Sequence, residues 1–254
     1  MHAALERAEA EAFASFQESA GLPVLRVAGA VCVATPLLPR NTMLNRVVGL
    51  GLDGPVADGV LDEIDAFFGA ARASYAVSVS PDADATLVER LGARNFTPGY
   101  AWMKFRRSVE PPELRQTELR VEETADGPAF GRTIAAAYGM PATAAELFGG
   151  LGGLPGWSLF LAYDAETPVG GAALYAHDGV GWCGIAGTLP EHRGKGAQTA
   201  LFAARIDRAR ELGLETLTTE TGERVPDRPS SSYRNILRAG FAEAYLRPNL
   251  VAPD

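Results

Sequence analysis

With 254 residues and 47% hydrophobic side chains, the chain can bury one large core or two smaller ones. Its formal charge of -8 excludes the broad basic footprint that a nucleic-acid surface needs. No apolar run approaches the roughly 18 residues of a membrane helix. Glu6, Glu9, Glu11 and Glu18 also argue against a secretory leader, so a cytoplasmic protein without a membrane partner is expected.

Leu5, Ala8, Ala12, Phe13 and Phe16 form a helical stripe over residues 3–19. After the Gly21-Leu22-Pro23 break, 24–27 and 30–35 read as strands, as does 43–52. A helix is predicted from Asp58, with Val60, Leu61, Ile64, Phe67 and Phe68 on one side. A strand at 75–79, a helix at 82–91 and a final strand at 100–105 follow. Residues 109–113 are extended, polar and proline-broken, and are expected to link a domain at 1–112 to one at 113–254.

The second half repeats that order with additions. It begins with a strand at 119–122, a helix at 128–138 and a short helix at 143–148. A strand pair follows at 157–163 and 169–175, then a buried strand at 180–189. A helix carrying Leu201, Arg205, Arg208 and Leu212 is closed by Gly213; a strand at 214–219, a helix at 231–239 and a strand at 242–246 end the pattern. Phe96 and Phe241 fall at equivalent places. Cys32 and Cys183 sit in apolar strand-like runs and read as small buried hydrophobes, a disulfide being the alternative; no metal framework is visible.

Between the strand at 180–189 and its helix stands Arg193-Gly194-Lys195-Gly196-Ala197-Gln198. The two glycines allow close approach of a ligand, and the helix start offers unpaired N–H groups and partial positive charge. That combination suits an anionic phosphate. The first half has Asp53-Gly54-Pro55-Val56-Ala57-Asp58-Gly59 at this point. Asp53 and Asp58 would repel a phosphate and Pro55 has no N–H, so only the second half is expected to bind a phosphorylated cofactor.

The turn resembles the signature of the GNAT superfamily of N-acetyltransferases, Gln or Arg, two residues, Gly, one residue, then Gly or Ala. Arg193 and Gly196 match, and Gln198 departs from the last position. Arg238-Ala239-Gly240-Phe241 is similar to the end of the family's late helix. The resemblance covers 117–254, with the first half as a degenerate copy of the kind found in tandem-GNAT proteins. It implies an α/β (α+β) fold of two domains, each a mixed, mostly antiparallel sheet flanked by helices.

It also implies acetyl-CoA as co-substrate. Gly187, Thr188 and Leu189 would face the pantetheine arm, and the N–H groups of Lys195, Gly196, Ala197, Gln198 and Thr199, with Arg193 and Gly194 shaping the turn, would hold the pyrophosphate. A backbone N–H near Ile185 to Gly187 would stabilise the oxyanion. The family's strand carboxylate is missing here, which leaves Glu220 as general base or as a solvated strand-end charge. The family's tyrosine position holds Ile236, so Tyr233 stands as the acid candidate or as a packed core residue, with Tyr245 more distant. Asn235 would bond pantetheine or cap a turn. His177 reads as a turn residue, and His192, which precedes the cradle, as an exposed side chain or one that touches a phosphate.

The acceptor is expected to be a small-molecule or peptide amine, chosen by the glycine-rich loop 138–157. The first half is left to shape the acceptor site or an interface, with a homodimer among the options. Two other readings stay open. One is a non-catalytic acyl-CoA-binding or regulatory module. The other is a P-loop nucleotide-binding protein, against which Gly196 is followed by Ala197 rather than by Lys-Ser/Thr.

Overall fold

The computed structural model describes residues 2–111, 117–225 and 230–253. Residues 112 and 113 of the expected linker lie outside them. The chain forms two compact units, but they do not divide at residue 112. The first comprises Met1–Met103 with Tyr245–Asp254, and the second Lys104–Ala244.

The first unit opens with α1 (His2–Ser19), which buries Leu5, Ala8, Ala12 and Phe16. The strands β1 (Val24–Val27), β2 (Ala30–Val33) and β3 (Arg46–Val48) pair antiparallel in succession. α2 (Asp58–Ala71) then crosses to β4 (Ala76–Ser78), which lies parallel to β3. Leu61, Ile64 and Phe68 of α2 pack over Cys32, Val47 and Val77, and the Phe68 ring stacks on Tyr75 at 4.0 Å. Helix α3 (Leu87–Ala93) and the two-residue β5 (Thr97–Pro98) follow.

The edge of β4 is covered by Asn249–Val251, labelled β13 below, which is inserted antiparallel between β4 and β5. Arg247, from the same C-terminal segment, is fully buried and bonded to Glu6 at 2.9 Å and to Glu9 at 2.5 and 2.8 Å. Charges on one face of α1 thus sit inside and are paired there.

The second unit is built on a seven-stranded sheet. Its strands are β6 (Trp102–Ser108), β7 (Arg120–Thr124), β8 (Trp157–Asp164), β9 (Thr167–His177), β10 (Val180–Thr188), β11 (Thr216–Gly222) and β12 (Ala242–Arg247), in the order β12-β6-β11-β10-β9-β8-β7. The segment from β7 to β10 is an antiparallel meander, and β10 runs parallel to β11 across the intervening helix α6 (Ala197–Glu211). α4 (Gly127–Ala137), α5 (Ala144–Gly149) and α7 (Ser231–Arg238) complete it. Asp126 caps α4 by accepting from the Ala129 N–H at 2.9 Å.

Both units therefore share a run of antiparallel pairings, two in the first and three in the second, a helical crossover to a parallel strand, and a late helix. The duplication extends to the turn after that helix. The Phe96 N–H donates to Leu91 O at 3.1 Å and the Phe241 N–H to Ile236 O at 3.3 Å. The residue before each is left-handed, Asn95 at φ 64° and Gly240 at φ 79°. The strand expected at 100–105 as the last of the first half lies instead between β11 and β12 of the second sheet, as Trp102–Ser108. Its buried Lys104 and Phe105 need flanking strands on both sides, a requirement that local patterning does not express.

Candidate functional site in the second unit

β10 does not follow its neighbours evenly. Its register with β9 shifts between Gly184 and Gly187, and within this bulge Ile185 adopts φ 47°, a costly conformation for a β-branched residue. Pairing with β11 covers only Val180, Gly181 and Trp182 opposite Thr216, Leu217 and Thr218. The Thr219 hydroxyl then donates to Cys183 O at 2.7 Å, and beyond it the two strands part. The opening is therefore flanked by residues 184–188 of β10 and Glu220 to Gly222 of β11.

At the end of β10 the chain makes a 3-10 turn (Pro190–His192) and enters α6 through the glycines. Gly194 has φ 82° and Gly196 φ 92°, values that side chains resist. Gly196 is the N-cap of α6 and offers no side-chain cap, so the first-turn N–H groups keep their donor capacity. Thr117 backs the turn, its hydroxyl donating to Lys195 O at 3.0 Å.

The polar side chains around the cradle are turned to its frame. Arg193 Nε donates to Thr188 O at 3.3 Å, and the Gln198 amide donates to the Thr188 hydroxyl at 3.0 Å. Gln198, the departure from the family pattern, is thereby folded back onto the strand end. Lys195 Nζ lies 3.1 Å from Asp164, and His192 Nδ1 3.3 Å from the same carboxylate. Lys195, then His192, hold Asp164 below the usual carboxylate range. Gly187 and Thr188 are buried, whereas Leu189, Ala200 and Thr199 are half-buried.

Glu220 is at the opening, but not as a solvated charge. Its carboxylate accepts from Lys104 Nζ at 2.8 Å and from the Trp182 indole N–H at 3.1 and 3.3 Å. Acting as a base would require it to give up these donors. Tyr233 is buried on α7, with its ring edge 4.9 Å from Phe105 and its hydroxyl donating to Glu243 at 2.7 Å. Burial, then the Glu243 carboxylate, push its phenol up to about 12. Asn235 is half-buried on the same helix, and its side chain has no hydrogen-bond partner among the described residues. Tyr245 bonds Glu6 and belongs to the first unit. Cys183 and Cys32 are free and buried, as expected of core thiols.

Lys104 and Trp182 were not legible as partners of Glu220 at the opening. Lys104 and Arg205 look like surface charges in sequence, and both are fully buried. In the first unit, the region equivalent to the cradle carries its carboxylates paired, Asp53 with Arg7 and Asp58 with Arg90, each at 2.5 Å.

Residues 137–227 match the family model described as Acetyltransferase (GNAT) family. The span includes the bulge, the cradle and α6. No curated protein matches the chain by sequence. A GCN5-related N-acetyltransferase from Kribbella flavida is similar in structure, with 19% identity, coverage of 97% of this chain and 94% of that one, and a TM-score of 0.66. A GCN5-related N-acetyltransferase from Sphaerobacter thermophilus gives 16% identity, 82% and 72% coverage, and a TM-score of 0.61. A tandem GNAT protein from the clavulanic acid biosynthesis pathway gives 16% identity, 91% and 81% coverage, and a TM-score of 0.56. Residues 137–227 thus match the acetyltransferase (GNAT) model, and the chain has the fold of these structures, a tandem GNAT protein among them.

Proposed function

We propose that the second unit transfers an acetyl group from acetyl-CoA to an amine by direct attack on the thioester. One observation carries this reading: two left-handed glycines at an uncapped helix start lie directly beyond a strand that parts from its parallel neighbour. The first-turn N–H groups of α6 fit a pyrophosphate, and the edge of residues 184–188, where β10 no longer pairs with β11, fits the amides of a pantetheine arm. Acetyl-CoA would supply an activated acyl carbonyl. The chain's share is to bind the arm, hold the carbonyl beside the bulge and bring the amine to it, which by itself accounts for much of an acyl transfer.

The acceptor is proposed to be a small-molecule or peptide amine. A chain of net charge -8 favours a cationic one as it approaches. Among the described residues no helix is long and apolar enough to cross a membrane, and we place the protein in the cytoplasm. Calorimetric titration with acetyl-CoA tests the reading. The native chain is expected to bind it and Gly196→Asp to lose that binding; equal affinity in the two would overturn the cradle assignment.

A second reading, an acyl-CoA-binding module without turnover, draws on the occupied state of the two candidate residues. Glu220 is tied to Lys104 and Trp182, and the Tyr233 hydroxyl to Glu243. Acetyl-CoA binding without thioester loss across a broad panel of primary amines would favour it.

A further inference from the structure

Of the 23 lysines and arginines in the chain, only Lys104 and Lys195 are lysines. Lys104 is fully buried against Glu220, whereas the Lys195 side chain is 50% exposed. Lys195 is therefore the one lysine whose amine meets solvent, and it stands in the cradle turn itself. A guanidinium keeps its proton at neutral pH and is not acylated. An acyl thioester in solution thus finds a single lysine to react with.

The amine has two neighbours. Nζ lies 3.1 Å from Asp164 Oδ2 and 3.4 Å from His192 Nδ1, and the same Nδ1 lies 3.3 Å from Asp164 Oδ2. Asp164 ends β8, while His192 and Lys195 belong to the turn between β10 and α6. A carboxylate alone would hold the amine as an ammonium, which has no lone pair with which to attack a carbonyl. The imidazole changes this. With Nδ1 free of hydrogen it accepts from the ammonium, and once protonated its N–H faces Asp164, which stabilises the imidazolium. His2 and His177 lie beside Asp82 and Asp178, so among the described residues His192 is the histidine that meets a lysine.

Acylation at this amine has an electrostatic consequence for the turn. The amide that forms carries no charge, and Asp164 keeps its own without the ammonium beside it. A negative charge then stands at the rim of a turn whose N–H groups suit a phosphate, where the native trio places a cation. The repulsion is a surface effect and is screened by salt.

We propose that Lys195 is an acylation site for acyl-CoA thioesters in solution, with His192 as the base that frees its amine, and that acylation there is a brake on the cradle. The acylation stands on the surroundings of Lys195 alone, and the brake rests on the acetyl-CoA reading of the cradle. The Lys195 ammonium passes one proton to His192 Nδ1, and the neutral amine attacks the thioester carbonyl. The C–N bond forms, the C–S bond breaks, and coenzyme A leaves as its thiolate. The nitrogen loses its second proton to solvent, and the imidazolium returns its proton to the thiolate through water.

The test incubates the full chain with acetyl-CoA carrying carbon-13 in its acetyl group and follows the labelled positions over time by peptide mass spectrometry. Label is expected on Lys195 and not on Lys104. His192→Gln should slow labelling of Lys195 about tenfold or more. Lys104, unlabelled while the protein is folded, reports that this variant keeps its structure. Absence of label from Lys195 in the native chain would overturn the acylation site, and an unchanged rate in His192→Gln would overturn the base. Calorimetry then compares acetyl-CoA affinity before and after acetylation, which is expected to weaken it about three- to tenfold, less so at high salt. Lys195→Gln should follow the acetylated protein, and Lys195→Arg, which keeps the charge, should lose less. Equal affinity before and after would overturn the brake. Failure of the unmodified chain to bind acetyl-CoA at all would instead overturn the acetyltransferase reading, with the label on Lys195 still present.

Discussion

The Lys104 ammonium lies 2.8 Å from the Glu220 carboxylate, with side chains 0% and 9% exposed. A strand from the end of the first half thereby neutralises a carboxylate at the opening of the second unit's sheet. Removing one partner leaves the other charge buried alone, so Lys104→Met is expected to cost about 3–5 kcal/mol. Adding Glu220→Gln, which keeps an acceptor for the Trp182 N–H, should restore much of the loss. Urea unfolding of the single and double variants measures both, and additive losses would contradict a coupled pair.

The left-handed glycines of the cradle differ in what surrounds them. A Cβ at Gly194 meets nothing within 4 Å, whereas one at Gly196 comes 3.0 Å from Thr117. Gly194→Ala should therefore cost only the backbone penalty, about 1–2 kcal/mol. Gly196→Ala should cost more and also weaken acetyl-CoA binding by about tenfold or more, through misdirected first-turn N–H groups. Thermal unfolding with and without acetyl-CoA distinguishes the two effects.

The Tyr233 phenol should titrate near pH 12 rather than near its ordinary value of about 10. A raised value means that the folded state holds the proton more tightly than the unfolded chain does. The stability contributed is complete below about pH 10 and is lost as pH rises towards 12. Subtracting the phenolate absorbance titration of Tyr233→Phe from that of the native protein isolates this transition, and a midpoint near 10 would contradict the burial argument.

Both thiols should be silent in the native state. Burial pushes Cys32 up to about 12 and also raises Cys183, so neither offers a thiolate at neutral pH. A chromogenic disulfide reagent is expected to titrate the two only on unfolding, at the rate of unfolding itself.

Deletion of residues 248–254 removes β13 and exposes the edges of β4 and β5. The first unit should lose its cooperative transition, because β5 contributes only Thr97 and Pro98 and cannot cover β4 alone. Native-state hydrogen exchange would show the loss in Ala76–Ser78 first.

Most helices and strands were legible because their periodicity is local. The stripe of Leu61, Ile64 and Phe68, the break at Gly213 and the paired aromatic ends Phe96 and Phe241 each announce themselves within a few residues. Residues 249–251 did not, since three residues after Pro248 have no period and become a strand only by filling a gap far away in sequence. The cradle was legible for a further reason. Its chemistry is that of the backbone, and glycine at a helix start signals it directly.

The remainder of the site depended on pairings between distant residues. Glu220 was visible as a carboxylate, but its burial against Lys104 and Trp182 depends on which strand lies next to β11. Tyr233 was visible as a helix tyrosine, but its engagement depends on Glu243 in the following strand. Tyr138 was read as the start of a loop, and its ring lies against Gly187 only because β10 runs past the end of α4. The sequence by itself determined the tandem arrangement and the glycine turn at the start of α6, because local glycine and apolar patterning encodes both. Only the tertiary structure decided where the two units divide and which side chains meet the opening, because strand order and buried ion pairs are set by free energies summed over the whole fold.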